Sequence, residues 1–200
     1  MLVTDMWIRK LDESKIQQRG SARLRGYDYS RSGGYFVTIP VQGQRWRMGT
    51  LKNVQVNLSL IGIIVDACWQ HIFNRYAKVE VDTFIVMPNH LHGVLFIHNL
   101  GRGEAFEGRH ETAVTDSPSN ASPVRVSRGT KSGSLGAIVQ NFKSISTRRI
   151  NQLCDTPGER FWQRGYYDRI IRNRQELDRI RKYIIENPAK WELDEYYSKQ

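Results

Sequence analysis

The stretch Phe84-Ile85-Val86-Met87-Pro88-Asn89-His90-Leu91-His92-Gly93-Val94-Leu95-Phe96-Ile97 constrains the chain most. Two apolar, β-rich runs are separated by Met-Pro-Asn, and a His-Leu-His triplet opens the second run. Proline has no N–H to give a ladder and asparagine favours tight reversals, so the two runs are predicted to form an antiparallel hairpin. Side chains alternate across a strand, which puts His90 and His92 on one face and Leu91 on the other. Their Cα atoms are then roughly 6.5–7 Å apart, close enough for two imidazoles to converge on one cation. Val94 and Phe96 continue the histidine face, so the pair belongs at the margin of a core. Two of the chain's five histidines in this spacing form a ligand set that divalent metals use, although spacing singles out no metal.

Thirty Lys plus Arg against twenty Asp plus Glu give a net charge of +10, which points to a polyanionic partner. No run approaches the length of a membrane span and no basic amphipathic helix with a broad apolar face stands out, so nucleic acid leads over a membrane surface. Met1 to Lys10 holds a short apolar patch between charges and no signal-peptide pattern, so a cytoplasmic, nucleoid-associated protein is expected. Cys68 and Cys154 fit neither a zinc knuckle nor a disulfide framework, and Cys68 falls on an apolar helical face as an inert core thiol. Two hundred residues suffice for one domain, and neither a repeat nor a linker divides them.

Residues 1–33 form a basic arm in which Arg23 and Arg25 are interleaved with Tyr27 and Tyr29, a pattern that suits phosphate contacts and base stacking. Gly33-Gly34 punctuates the chain before a strand, Tyr35 to Ile39, stopped by Pro40. After a polar turn region, Ile61, Ile64, Val65, Cys68, Trp69, Ile72, Phe73 and Tyr76 recur at helical spacing, with Asn57 or Ser59 available as the cap. Val79 to Val86 then feeds the histidine hairpin. Residues 99–133 are a long polar insertion without sustained periodicity, read as flexible. A helix follows from Ser134 through Leu135, Ile138, Val139, Phe142, Ile145 and Ile150, with Lys143, Arg148 and Arg149 off its seam and suited to a phosphate backbone. Phe161 to Ile171 combines strand-forming residues with Arg164 and Arg169, and Arg172 lies just beyond. The last helix starts near Asn173, is seamed by Leu177, Ile180 and Ile184, and is stopped by Pro188.

Tyr183 and Asn187 lie four residues apart on the flank of that seam, so they face the same way where core meets water. A phenol held there is open to solvent and substrate while its backbone is rigid. Amphipathic placement alone does not separate Tyr183 from an ordinary boundary tyrosine, and the chain has nine. Beside a divalent-metal pair and a basic surface it completes a chemistry, in which a tyrosine attacks a phosphodiester while a metal polarises a non-bridging oxygen. Tyr166 and Tyr167 are the competing nucleophiles.

Gly26-Tyr27-Asp28-Tyr29, Tyr35 to Ile39, Val86 to Gly93, Phe161 to Asp168 and Tyr183-Ile184-Ile185-Glu186-Asn187-Pro188 follow one another in an order that resembles the single-tyrosine transposases among the HUH single-strand endonucleases. The likeness covers roughly residues 25–190 and is greatest to the REP-associated tyrosine transposases of bacteria. It implies an α+β class with a ferredoxin-like antiparallel sheet, helices packed on it, and the histidines on its central strands. It further implies that His90 and His92 hold a divalent cation, that Tyr183 is the nucleophile, and that Asn187 supplies a third, amide-type ligand. Oxygen and imidazole ligands suit Mg²⁺ or Mn²⁺. The partner so implied is a single-stranded DNA hairpin of the repetitive extragenic palindrome kind, cut beside the hairpin by a monomer or a homodimer. The alternatives are a catalytically silent hairpin-binding protein, a hydrolase using metal-bound water, and a rolling-circle initiator; the last brings further domains that this length does not hold.

Overall fold

The structure, a computed structural model, describes residues 26–98, 130–194, 196 and 197. Arg23 and Arg25 lie outside these residues, as does most of the 99–133 insertion. Among the described residues, six strands and four α-helices follow in the order β1 (Gly33–Pro40), β2 (Gly49–Lys52), β3 (Gln55–Leu58), α1 (Leu60–Gln70), α2 (Ile72–Arg75), β4 (Val79–Val86), β5 (His90–Ile97), α3 (Leu135–Cys154), β6 (Tyr167–Ile171) and α4 (Arg174–Glu186). A 3₁₀ helix (Asn187–Leu193) continues from α4.

The main sheet runs β4-β5-β1-β6 with every neighbour antiparallel. Its four strands with α1 and α3 make a βαββαβ unit in ferredoxin-like order, so the α+β expectation holds and the histidine strand β5 is central. One sheet face carries Tyr35, Val37, Ile39, Leu91 and Leu95, all fully buried against α1 and α3. The other carries Val94, Phe96 and Ile171 against Leu177, Ile180 and Ile184 of α4. Period-two alternation thus feeds two separate cores, one on each side of a single sheet. His90 and His92 share the α4 face.

Local sequence chemistry sets the helix starts. Ser59 Oγ accepts from Gly62 N at 3.2 Å, Ser134 Oγ from Ala137 N at 3.4 Å, and Asn173 Oδ1 from Glu176 N at 2.8 Å. Each satisfies one of the orphan N–H groups at a helix N-terminus. Helix α1 stops at Gln70 and a short α2 resumes after His71, where one unbroken helix to Tyr76 is expected from the spacing.

Two segments differ from the sequence expectation. The polar region after Pro40 contains the β2–β3 hairpin, turned by Asn53 (φ 51°) and Val54 (φ 63°). Both residues take the left-handed region that a two-residue hairpin turn needs, but valine stands where glycine is usual, which hides the signal. In the other segment only Tyr167–Ile171 of Phe161–Ile171 is strand. Phe161 and Trp162 bury their rings in the α1–α3 core, and the carbonyls of Gln163 and Gly165 point at Lys143 Nζ, at 2.8 and 2.6 Å, instead of into a ladder.

Candidate active site

Cross-strand register assembles the site. Thr38 of β1 pairs with His92 of β5 and with Tyr167 of β6, and Ile85 of β4 pairs with His92 on its other side. Ile85, His92, Thr38 and Tyr167 therefore form one row across the face that α4 covers. Pro40 lies opposite His90, one step along.

The two imidazoles meet edge to face, with ring centroids 4.4 Å apart. Asn89, in the turn before them, donates its two amide hydrogens to the carbonyls of Gln44 (3.1 Å) and Tyr196 (2.6 Å). That fixes its amide, so Oδ1 faces His90 Nδ1 at 2.9 Å and the proton of that bond belongs to the histidine. A neutral ring protonated at Nδ1 offers a lone pair at Nε2, and His90 Nε2 is buried with no hydrogen-bond partner among the described residues. His92 is held in the same manner, its Nδ1 2.8 Å from Thr38 Oγ1. Hydrogen bonds of this kind are the usual outer support of metal-ligating histidines. Burial keeps both rings neutral. It drives the proton affinity of His90 well below the ordinary imidazole value, helped by the neighbouring His92. Burial likewise lowers His92 to about 4, against an opposing pull from the Asp194 carboxylate.

The Tyr183 hydroxyl lies 3.4 Å from His92 Nε2. Phe36 holds the arrangement from below, stacked on His92 at 5.4 Å and edge-on to Tyr183 at 6.1 Å. Asn187, one turn on, is 2 % exposed; its Nδ2 donates to Asp194 Oδ2 at 2.9 Å, and its Oδ1 is buried without a hydrogen-bond partner among the described residues. The ligand atoms of His90, His92 and Asp194 all lie within 4.8 Å of one another. Two buried lone-pair atoms without partners beside a carboxylate are what a hard divalent cation would satisfy, so the residues fit one. Trp191 and Tyr196 close the site, with centroids 5.7 and 4.7 Å from His90. The histidines are thus roofed, where the sequence suggests a core margin.

Asp194, Thr38 and Asn89 complete the site without a sequence signal pointing to them. Asp194 lies in a polar tail with no periodicity, and only the 3₁₀ turn after α4 returns it to the histidines. Thr38 sits in an apolar strand where a hydroxyl reads as ordinary alternation.

The residues expected to meet DNA divide into groups. Arg148, Arg149, Arg164 and Arg172 are exposed. Arg149 also reaches Cys68 Sγ at 3.5 Å. Arg169 is paired with Glu176 at 2.5 Å and Lys143 is turned inward, its ammonium held by carbonyls and its pKa lowered by burial to about 8. Tyr29 is 8 % exposed in the α1–α3 core, and Tyr27, half-buried, packs on it edge to face at 5.0 Å. Tyr166 packs against the same core, away from the histidines.

Residues 128–187 match the family model described as transposase IS200-like. An uncharacterized protein of Haemophilus influenzae is 32% identical over 185 residues, covering 91% of this chain and 94% of its own length. Among solved structures, a REP-associated tyrosine transposase bound to a REP hairpin superposes with a TM-score of 0.53 at 14% identity, over 84% of this chain and 73% of that one. The chain belongs to the IS200-like, single-tyrosine transposase family and has its HUH fold. No helix among the described residues is long and apolar enough to cross a membrane.

Proposed function

We propose that this chain is a metal-dependent single-stranded DNA endonuclease and strand transferase that recognises DNA hairpins and cuts beside them through a covalent bond to Tyr183. One observation carries the reading: in a member of a transposase family, the Tyr183 hydroxyl stands 3.4 Å from His92 Nε2, at a cluster of two histidines and a carboxylate. His90, His92 and Asp194, with Asn187 beside them, would hold Mg²⁺ or Mn²⁺, which when bound polarises a non-bridging phosphate oxygen.

The chain's own residues do the rest. Helix α4 and Phe36 aim the phenol, Thr38 fixes the ring of His92 so that its Nε2 faces the hydroxyl, and Asn89 fixes the ring of His90. Attack by Tyr183 Oη forms the Oη–P bond, breaks the phosphodiester bond to the neighbouring sugar oxygen, and leaves that oxygen as a free hydroxyl after it takes a proton. The energy of the broken ester is kept in the phosphotyrosine, so a later hydroxyl can reverse the step and join strands. Tyr183 and His92 come from one chain, which supports a site that works within a protomer.

The burial of His90 (0 % exposed) and His92 (2 %) under Trp191 and Tyr196 favours a second reading, a hairpin-binding protein that does not cut. Incubation with labelled single-stranded hairpins and Mn²⁺ separates the two. Cleavage abolished by chelation and by His90→Ala or His92→Ala, with hairpin binding kept, supports the endonuclease; binding without cleavage by the unaltered protein supports the silent binder.

A further inference from the structure

On the sheet face opposite Tyr183, α3 and the loop that leads from it to β6 enclose a cleft of about 660 Å³. Its helix wall is the i, i+4, i+8 row Ser144, Arg148 and Gln152; its loop wall carries Arg160 and Arg164. All three arginines are exposed, and none of their guanidinium groups has an ion-pair or hydrogen-bond partner among the described residues. The acids nearby do not neutralise them. Glu159 is engaged by Arg47 at 3.1 Å, which leaves Asp155 at the helix end as the cleft's remaining carboxylate among the described residues. Lys143 Nζ holds the carbonyls of Gln163 and Gly165, which fixes the loop wall against α3. The cleft is therefore a braced cationic groove.

Its position connects it to the active site. The loop wall runs directly into β6, the edge strand of the sheet, and Tyr167 at the start of β6 is the outer member of the row that contains Thr38 and His92. A strand that crosses this row from Tyr183 meets the β6 edge three residues from Arg164 of the groove's loop wall. A positively charged groove is the usual surface for tracking a single-stranded backbone.

We propose that this groove seats the single-stranded DNA flanking the hairpin, after that strand leaves the Tyr183 site over the β6 edge. The proposal rests on the endonuclease reading of Tyr183 and adds a second anchoring surface, on the far side of the sheet. It makes affinity depend on the flank as well as on the hairpin.

Fluorescence anisotropy with two probes tests this: a DNA hairpin carrying single-stranded flanks of about ten nucleotides, and the same hairpin cut flush. The triple change Arg148→Glu, Arg160→Glu, Arg164→Glu is expected to weaken the flanked probe at least about tenfold and the flush probe by less than about twofold. Its salt slope on the flanked probe should fall by about 2, from three lost contacts at ~0.7 each. Equal losses on both probes, or no loss on the flanked probe, overturn the proposal. Should the triple variant fail to fold by circular dichroism, photo-crosslinking of 5-iodouracil flanks to the unaltered protein decides. Crosslinks within residues 144–164 support the groove, and crosslinks confined to other peptides overturn it. A covalent Tyr183–DNA band from the unaltered protein reads the endonuclease assignment separately, so the two can fail independently.

Discussion

Thr38 shows how a single hydroxyl in an apolar strand can matter more than its neighbours. Its Oγ1 is the polar contact that fixes His92 Nδ1, at 2.8 Å. Thr38→Val keeps the shape and removes the acceptor, so Mn²⁺ affinity should fall by about 10–100-fold, the usual effect of losing a ligand's outer support. Calorimetric titration with Mn²⁺ reads this, and an unchanged affinity contradicts the role. The same histidines make metal-free stability depend on pH. His92 titrates at about 4 when folded and at roughly 6.5 when unfolded, and His90 is shifted in the same direction. Between those values the unfolded chain holds protons that the folded one refuses, so the stability is complete above pH 6.5 and is lost as pH falls, by up to about 1.4 kcal/mol per unit for each histidine. Urea titrations in chelator at pH 7 and pH 5 should show the drop, and a double variant with glutamine at both positions should flatten it. An equal drop in the double variant would assign the effect elsewhere.

At the level of elements, the histidine hairpin and the helix seams were legible because each obeys one period, two for β4 and β5, 3.6 for α1, α3 and α4. The β2–β3 hairpin was not, because Val54 occupies a left-handed turn position that glycine normally marks. The loop before β6 departs from expectation for a different reason: Phe161 and Trp162 are strand-forming by propensity, yet a half-buried lysine on another element claims the backbone carbonyls that follow. Gly93 illustrates what motif reading hides. It follows His92, but its face of β5 is the one covered by α1, where the indole of Trp69 lies so close that an added Cβ would sit 2.4 Å from Cζ2. Trp69 is fully buried and held edge to face by Phe142 at 5.0 Å, so it has little freedom to give way. Gly93→Ala should therefore cost about 1–3 kcal/mol through overpacking. Urea denaturation measures it, and a loss under about 0.5 kcal/mol would mean that the indole moves.

Across the whole molecule, a net charge of +10 makes DNA binding a property of the surface as much as of the site. Hairpin affinity should fall linearly on a logarithmic salt axis with a slope of about −2 to −4, as expected if roughly three to six phosphates are contacted. A salt-independent affinity measured by anisotropy would count against an electrostatic footprint. Composition conveyed that charge but not its use. Lys143 and Arg169 make internal contacts, and Tyr29 is buried in the core, because burial and pairing depend on residues distant in the chain. Tyr183 and both histidines were readable from order and spacing as candidate site residues, whereas Asp194 needed the fold to bring the tail back across them. The central claim is that Tyr183 attacks DNA. Its most direct test is to incubate the protein and Tyr183→Phe with labelled single-stranded hairpins and Mn²⁺, separate the products on denaturing gels, and map any protein–DNA adduct by peptide mass spectrometry. An adduct on the peptide containing Tyr183 is expected, absent from Tyr183→Phe together with cleavage; cleavage that persists in Tyr183→Phe, or an adduct on Tyr166 or Tyr167, would show that Tyr183 is not the nucleophile.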